Sequence, residues 1–311
     1  MSDPLALAGF ERAREVWLAE RQQLVTASDV AAILGEDPRR GPAAVWAEKV
    51  GEVEIDEAPW MRRGRRLEPA IAEEYSEVTG RPVHGRDPYL IVRHPELPWL
   101  AATLDRETEG CPTNPGLAAG RAPLELKAVG GGGVREWREE PPLHFQIQVQ
   151  IQMACTGRQW GSLTALLSGL TLTWHDLARN DRFLAAALPR LEEFRLRVQR
   201  REPPEADGLP GTTAALKALY ADEDGETVPL DIDAFQLTEA WELAGAECRH
   251  CDATRQDLEN QLRLRLGEAT FGALPDGSFL SLKTTKRAGY TVEATSYRQL
   301  RRFRPRLKVR K

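Results

Sequence analysis

Leu124-Glu125-Leu126-Lys127 alternates apolar and charged residues, the period of a half-buried β-strand. Successive side chains on a strand point to opposite faces, so Leu124 and Leu126 are predicted to face a core while Glu125 and Lys127 project together on the other side. Two further acids precede this pair along the chain, Glu68 and Asp105. If the fold delivers Asp105 to the same place, the group can hold a divalent metal and a water, the apparatus of metal-assisted phosphodiester hydrolysis. Taken alone, Glu125 and Lys127 are better explained as a solvent-facing ion pair on an edge strand.

The chain has 311 residues, 41% hydrophobic and 29% charged, which fits a soluble protein of one large domain plus an appendage. No apolar run reaches membrane-spanning length, and Met1-Ser2-Asp3-Pro4 lacks the basic start and apolar stretch of a signal peptide, so a cytoplasmic protein without a membrane partner is expected. The net charge of −5 argues against a nucleic-acid partner until its distribution is considered: Arg298 to Lys311 carries eight basic residues and no acidic one. That tail can contact phosphates or simply be a solvated end. The four cysteines, Cys111, Cys155, Cys248 and Cys251, are expected to be reduced. Cys248-Arg249-His250-Cys251 hints at a metal knuckle, but it lies in a helical pattern with no second pair at zinc spacing. The five histidines show no ligand spacing and are read as structural.

Helices are predicted from Leu5 to about Arg21, from Thr26 or Ser28 to Gly35, from Pro42 to Gly51, and from Gly64 to Gly80, the last with Leu67, Ile71 and Tyr75 on one face. Tyr89–Val92 and Leu100–Leu104 read as strands, and Glu109–Pro123 as a Gly- and Pro-rich loop. The four glycines at 130–133 are not followed by Gly-Lys-Ser/Thr, which excludes a P-loop. From Leu143 to Met153 apolar residues alternate strictly with His or Gln, a strand pattern, yet Pro141-Pro142 and Gly157 frame a helix; periodicity does not decide. Trp160–Leu167 and Leu170–Trp174 read as a hairpin, and Asn180–Arg200 as an amphipathic helix. The Pro-rich segment 203–210 is the expected domain boundary, giving a core over 1–205 and an extension over 211–311: one long helix or a helical hairpin over 234–266, short strands, then the basic tail.

Five segments in order resemble the YqaJ-type viral recombinases, the lambda-type phage exonucleases of the PD-(D/E)XK superfamily. They are Trp17 to Arg21 with Val25 to Val30; Gly64 to Pro69 with Tyr75; Ala102 to Asp105; Leu124 to Lys127; and Pro142 to Met153 with Thr156-Gly157. The resemblance covers about residues 15 to 200. It implies an α/β (α+β) fold, a restriction-endonuclease-like core with a mixed central sheet flanked by helices, and it assigns 143–157 to a helix. The chain departs from the family in the long stretch between Asp105 and Glu125, in Thr103, and in the glycines after Lys127, where relatives carry a basic residue; Arg135 is the substitute.

The resemblance also implies roles. Asp105, Glu125 and the Leu126 carbonyl would hold Mg²⁺ (or Mn²⁺), with Glu68 aiding a second metal. Lys127 would position or activate the attacking water, and Gln148 would orient Lys127 or that water. Arg21, Ser28 and Thr103, with Arg135, would hold a 5′-terminal phosphate, although Ser28 is equally a plain helix cap. Trp60 and Met61 would wedge a duplex end, or belong to the core. The implied function is a metal-dependent 5′-to-3′ exonuclease on double-stranded DNA ends, of phage or prophage origin, working with a single-strand annealing protein, with a trimeric ring as the implied assembly. An endonuclease of a defence system and a non-catalytic DNA-end binder are the alternatives.

Overall fold

A computed structural model describes residues 4–51, 59–110, 120–137, 139–287, 289 and 298–302, with no side-chain description for 4–11 or Trp60. Contacts divide the chain into two units, Met1–Tyr220 and Ala221–Lys311. In the first unit the elements run α1 (Pro4–Gln22), β1 (Val25–Thr26), α2 (Ala27–Leu34), α3 (Pro42–Lys49), α4 (Pro59–Thr79), β2 (Val83–Gly85), β3 (Ile91–Arg93), β4 (Leu100–Thr103) and β5 (Arg106–Glu109). They continue with β6 (Arg121–Val129), α5 (Leu143–Thr156), β7 (Trp160–Leu167), β8 (Thr171–Ala178), α6 (Asp181–Arg200) and α7 (Pro210–Leu219).

The main sheet has the order β2-β5-β6-β7-β8 and is mixed: only β6 and β7 run parallel, joined by α5 as their crossover. A smaller sheet, β1-β4-β3, packs beside it. The chain passes from the small sheet to the main one at Leu104-Asp105, between the end of β4 and the start of β5. Leu124 and Leu126 of β6 pack against Ile71 and Tyr75 of α4 on one face of the sheet. On the other face, Leu163 and Ala165 of β7 pack against Val149 and Met153 of α5. The strand alternation of Leu124–Lys127 therefore places Glu125 and Lys127 on the α5 side.

Residues 143–156 are helical, and the alternating pattern has a physical origin. Ile147, Ile151, Ala154 and Cys155 enter the core beside α2 and α6, whereas Val149 and Met153 pack on the sheet. Two apolar faces, each at helical spacing, interleave in sequence as an apparent alternation. Gly157, at φ 68°, ends the helix in the left-handed conformation that glycine adopts without strain.

Several boundaries differ from the sequence reading. The helix expected from Gly64 begins at Pro59, and Leu67 is exposed while Ile71 and Tyr75 are buried. The strand expected over 89–92 lies at Ile91–Arg93. Strands β2 and β5 were not anticipated, and β6 starts at Arg121, inside the expected loop, whose middle, 111–119, lies outside the described residues. The first unit, expected to close at 205, continues through α7, which packs on α3 and buries Thr212 and Ala215. Gly211 makes this contact possible: its N–H donates to the Arg39 carbonyl at 2.8 Å, and a Cβ there would lie 2.6 Å from the Arg40 Cβ.

The second unit contains α8 (Ile232–Leu266), a single 35-residue helix rather than a hairpin of two, followed by a small hairpin of β9 (Phe271–Ala273) and β10 (Phe279–Ser281). Residues 303–311 of the basic tail lie outside the described residues. No helix among the described residues is long and apolar enough to cross a membrane.

Candidate active site

Strand β6 carries Glu125, almost fully buried, and Lys127, whose Nζ lies 2.5 Å from Glu125 Oε1. Asp105 comes from the bend between β4 and β5, where its Oδ2 accepts the Leu126 N–H at 2.9 Å. This bond fixes the acid against β6 just past the last β5 partner of that strand, Leu124. In an extended strand the N–H and C=O of one residue point to the same edge. The Leu126 carbonyl therefore faces the Asp105 side, beyond the β5 pairing.

Helix α5 supplies two glutamines one turn apart. Gln148 Nε2 donates to Glu125 Oε1 at 2.7 Å, and its Oε1 accepts from Lys127 Nζ at 3.3 Å. Gln152 Nε2 donates to Glu125 Oε2 at 2.5 Å from a fully buried position. Gln152 was not singled out from the sequence, although its i+4 spacing from Gln148 places it on the same helix face. Lys127 Nζ also stands 4.7 Å from the centre of the Phe145 ring, a cation–π contact.

The charges at this point are felt mutually. Burial raises the Asp105 carboxyl well above the ordinary range, and Glu125 raises it further. Glu68, half-buried on α4, is raised first by burial and then by Glu125. Burial opposes the charge on Lys127, but Glu125 and Asp105 outweigh it and hold its pKa above the usual value. Glu68, Asp105, Glu125 and Lys127 thus form one electrostatic group. Among the described residues no three His, Cys, Asp or Glu side chains form a ready-made metal cage. The donor chemistry nevertheless suits a hard cation: three carboxyl groups beside one lysine, and a backbone carbonyl beyond strand pairing.

A second, basic pocket adjoins this group. Arg21 donates through Nη2 to Ser28 Oγ at 2.9 Å and to Thr26 Oγ1 at 3.2 Å, and its guanidinium lies 4.5 Å from the centre of the Trp17 ring. Trp17 Nε1 donates to Thr103 Oγ1 at 3.0 Å, which ties the pocket to β4 two residues before Asp105. Asp29 anchors the floor: it accepts from Thr26 N and Oγ1 and forms ion pairs with Lys49 at 2.8 Å and Arg40 at 3.0 Å. Among the described residues Arg21 forms no salt bridge, and burial lowers its pKa from the usual value. Arg135 stands exposed in the short turn at 134–137, in no hydrogen bond or ion pair with Arg21, Ser28 or Thr103 among the described residues. Met61 is exposed, and the Trp60 side chain lies outside the described residues.

Mixed sheet, crossover helix and an Asp…Glu-x-Lys set at the diverging strands make this a core of the PD-(D/E)XK type. The family model of the YqaJ-like viral recombinase domain matches residues 16–159. YqaJ of Bacillus subtilis (strain 168), an uncharacterised protein, is 26% identical over 269 residues, covering 84% of this chain and 81% of the relative. The alkaline exonuclease LHK-Exo from Laribacter hongkongensis superposes with a TM-score of 0.48 at 25% identity, over 60% of this chain and 94% of that one. A phage-related exonuclease from Haemophilus somnus 129PT superposes with a TM-score of 0.41 at 11% identity, over 57% of this chain and 94% of that one. Residues 16–159, the part of the chain that matches the YqaJ-like viral recombinase domain, hold both the acidic group and the basic pocket.

Proposed function

We propose that this protein is a divalent-metal-dependent deoxyribonuclease, a 5′-to-3′ exonuclease acting on double-stranded DNA ends. The observation that carries this reading is the link through β4. Thr103, hydrogen-bonded to the Trp17 of the basic pocket, precedes Asp105 of the acidic group by two residues, at most about 7 Å of backbone. A terminal phosphate seated on Arg21 and Ser28 would lie about one nucleotide from the carboxylates.

Asp105, Glu125 and the Leu126 carbonyl are the residues that would hold Mg²⁺ or Mn²⁺, with Glu68 available to a second ion. The metal would lower the pKa of a bound water and neutralise charge developing on the phosphate. Lys127 then positions the attacking water beside Glu125. Gln148 bridges Lys127 and Glu125 and fixes both side chains. Arg21, Thr26 and Ser28 bind the terminal phosphate through charge-assisted hydrogen bonds and set the register of the end. The product would be a duplex with a 3′ overhang, the substrate a single-strand annealing protein needs.

The test is hydrolysis of linear duplex labelled on a 5′-phosphorylated strand, with Mg²⁺ or with chelator, beside a covalently closed circle. Release of labelled mononucleotide only with Mg²⁺, and an intact circle, is expected. Cleavage of the closed circle would instead make the protein an endonuclease, and end binding without hydrolysis would make it a scaffold.

A further inference from the structure

Helix α8 offers a surface that the nuclease reading does not use. Among the described residues none of its side chains is buried. Its sequence nevertheless carries a regular stripe. Ala234, Leu237, Trp241, Ala244, Cys248, Cys251, Arg255, Leu258 and Leu262 follow one another at alternating spacings of three and four residues, the seam of a coiled coil. Leu237, Trp241 and Leu258 on this stripe are exposed, whereas Leu243 and Leu264 fall outside it. Arg302 of the following segment pairs with Glu239 and Glu242 and lies over Phe235, on the side of the helix away from the stripe. From Leu237 to Leu262 the stripe is about 37 Å long at 1.5 Å per residue.

The order of residues along the stripe selects its partner. An in-register parallel pair would stack Arg255 on Arg255 and set Glu247 against Asp252 of the other helix, both repulsive. An antiparallel pair centred between Cys248 and Cys251 removes both clashes. Leu237 then meets Leu262, Trp241 meets Leu258, Ala244 meets Arg255 and Cys248 meets Cys251 of the second copy. Large apolar side chains face each other, and Arg255 lies over a small alanine that leaves room for its stem. The flanking positions carry no like charges: Glu247 falls beside Thr254, Asp252 beside Gly245, and Glu259 beside Thr238. We propose that α8 is a dimerisation helix that pairs antiparallel with α8 of a second copy in this register.

The two seam cysteines allow a test that reads orientation directly. Two full-length chains, Cys248→Ser and Cys251→Ser, each with Cys111→Ser, are co-expressed with tags of different mass and treated with a short thiol-bridging reagent. Cys155, the remaining cysteine, is buried and its thiol is pushed up to about 12, so it does not react. The antiparallel register predicts a bridged species carrying both tags, at least tenfold above any bridged species from either variant expressed alone. Trp241→Lys in both chains should lower it at least tenfold. Bridging within either single variant at the level of the mixture would show a parallel or shifted pairing and overturn the proposal. No bridging in the mixture would mean that something else covers the helix, and would overturn it equally. Because only seam thiols react, a ring formed by the first unit would not produce the expected pattern.

Discussion

Gln152 and Gln148 grip opposite oxygens of Glu125: Gln152 Nε2 meets Oε2 at 2.5 Å and Gln148 Nε2 meets Oε1 at 2.7 Å. Two amides on consecutive turns of α5 thereby hold a buried carboxylate in one rotamer. Gln152→Leu keeps similar volume and removes one donor, leaving Oε2 without its amide. A lost bond to a charged group costs about 1–3 kcal/mol, so kcat should fall roughly 10- to 100-fold with KM for duplex DNA little changed. Steady-state hydrolysis of end-labelled duplex checks this; a change confined to KM would instead place Gln152 in DNA binding.

Lys127→Ala removes the ammonium that neutralises Glu125 and stands over Phe145. Loss of one positioned charge-stabilising group typically costs about 10²- to 10³-fold in kcat. Binding of 5′-phosphorylated duplex ends should persist, because Arg21 and Ser28 are untouched. Activity assays beside filter binding in Ca²⁺ separate the two effects, and retained hydrolysis would remove Lys127 from the reaction.

Arg21→Ala should act on selectivity rather than on chemistry. The guanidinium donates to Ser28 and Thr26 and rests on Trp17, so it is pre-positioned for an anion. A charge-assisted phosphate contact is worth about 1.5–3 kcal/mol. The preference for 5′-phosphorylated over 5′-hydroxyl ends should therefore shrink by about 10-fold or more, read as the ratio of initial rates on the two substrates. An unchanged ratio would move the phosphate pocket elsewhere.

The elements legible in the sequence were those whose own residues set their limits. Strand β6 showed itself through the alternation of Leu124 to Lys127, α2 through Thr26 and Gly35, and the β7–β8 turn through Ser168-Gly169, both with positive φ. The acidic group was legible because Glu125 and Lys127 share one face of a strand and Asp105 closely follows another. What was not legible depends on partners far away in sequence. Helix α7 fell to the extension because the Pro-rich segment 203–210 marks a boundary, yet its Gly211 closely approaches Arg40 of the first unit. Strands β2 and β5 are short, and β5 reads Arg-Glu-Thr-Glu, polar throughout, so only its pairing with β2 and β6 defines it. Gln152 was hidden because a buried glutamine beside a carboxylate has no local signature, and Arg135 was chosen on its position after Lys127, on a turn that proves to be exposed.

Protonation of Asp29 should weaken the fold in acid. Burial pushes this carboxyl up, but Lys49, Arg40 and Arg21 together outweigh burial and hold its pKa well below the ordinary carboxylate range. A group with a depressed folded pKa contributes stability above its unfolded value, near 4, and loses that contribution as pH falls toward the folded value. Denaturant midpoints should thus fall between pH 5 and pH 3 more steeply in the wild type than in Asp29→Asn. At pH 7 the variant leaves Lys49 and Arg40 without their shared counter-ion and retains one acceptor oxygen where Asp29 uses two. Breaking a buried ion pair by removing one partner costs about 3–5 kcal/mol, enough to shift the midpoint clearly. Parallel pH curves for the two proteins would mean that Asp29 is not the group whose protonation loosens the wall beneath Arg21.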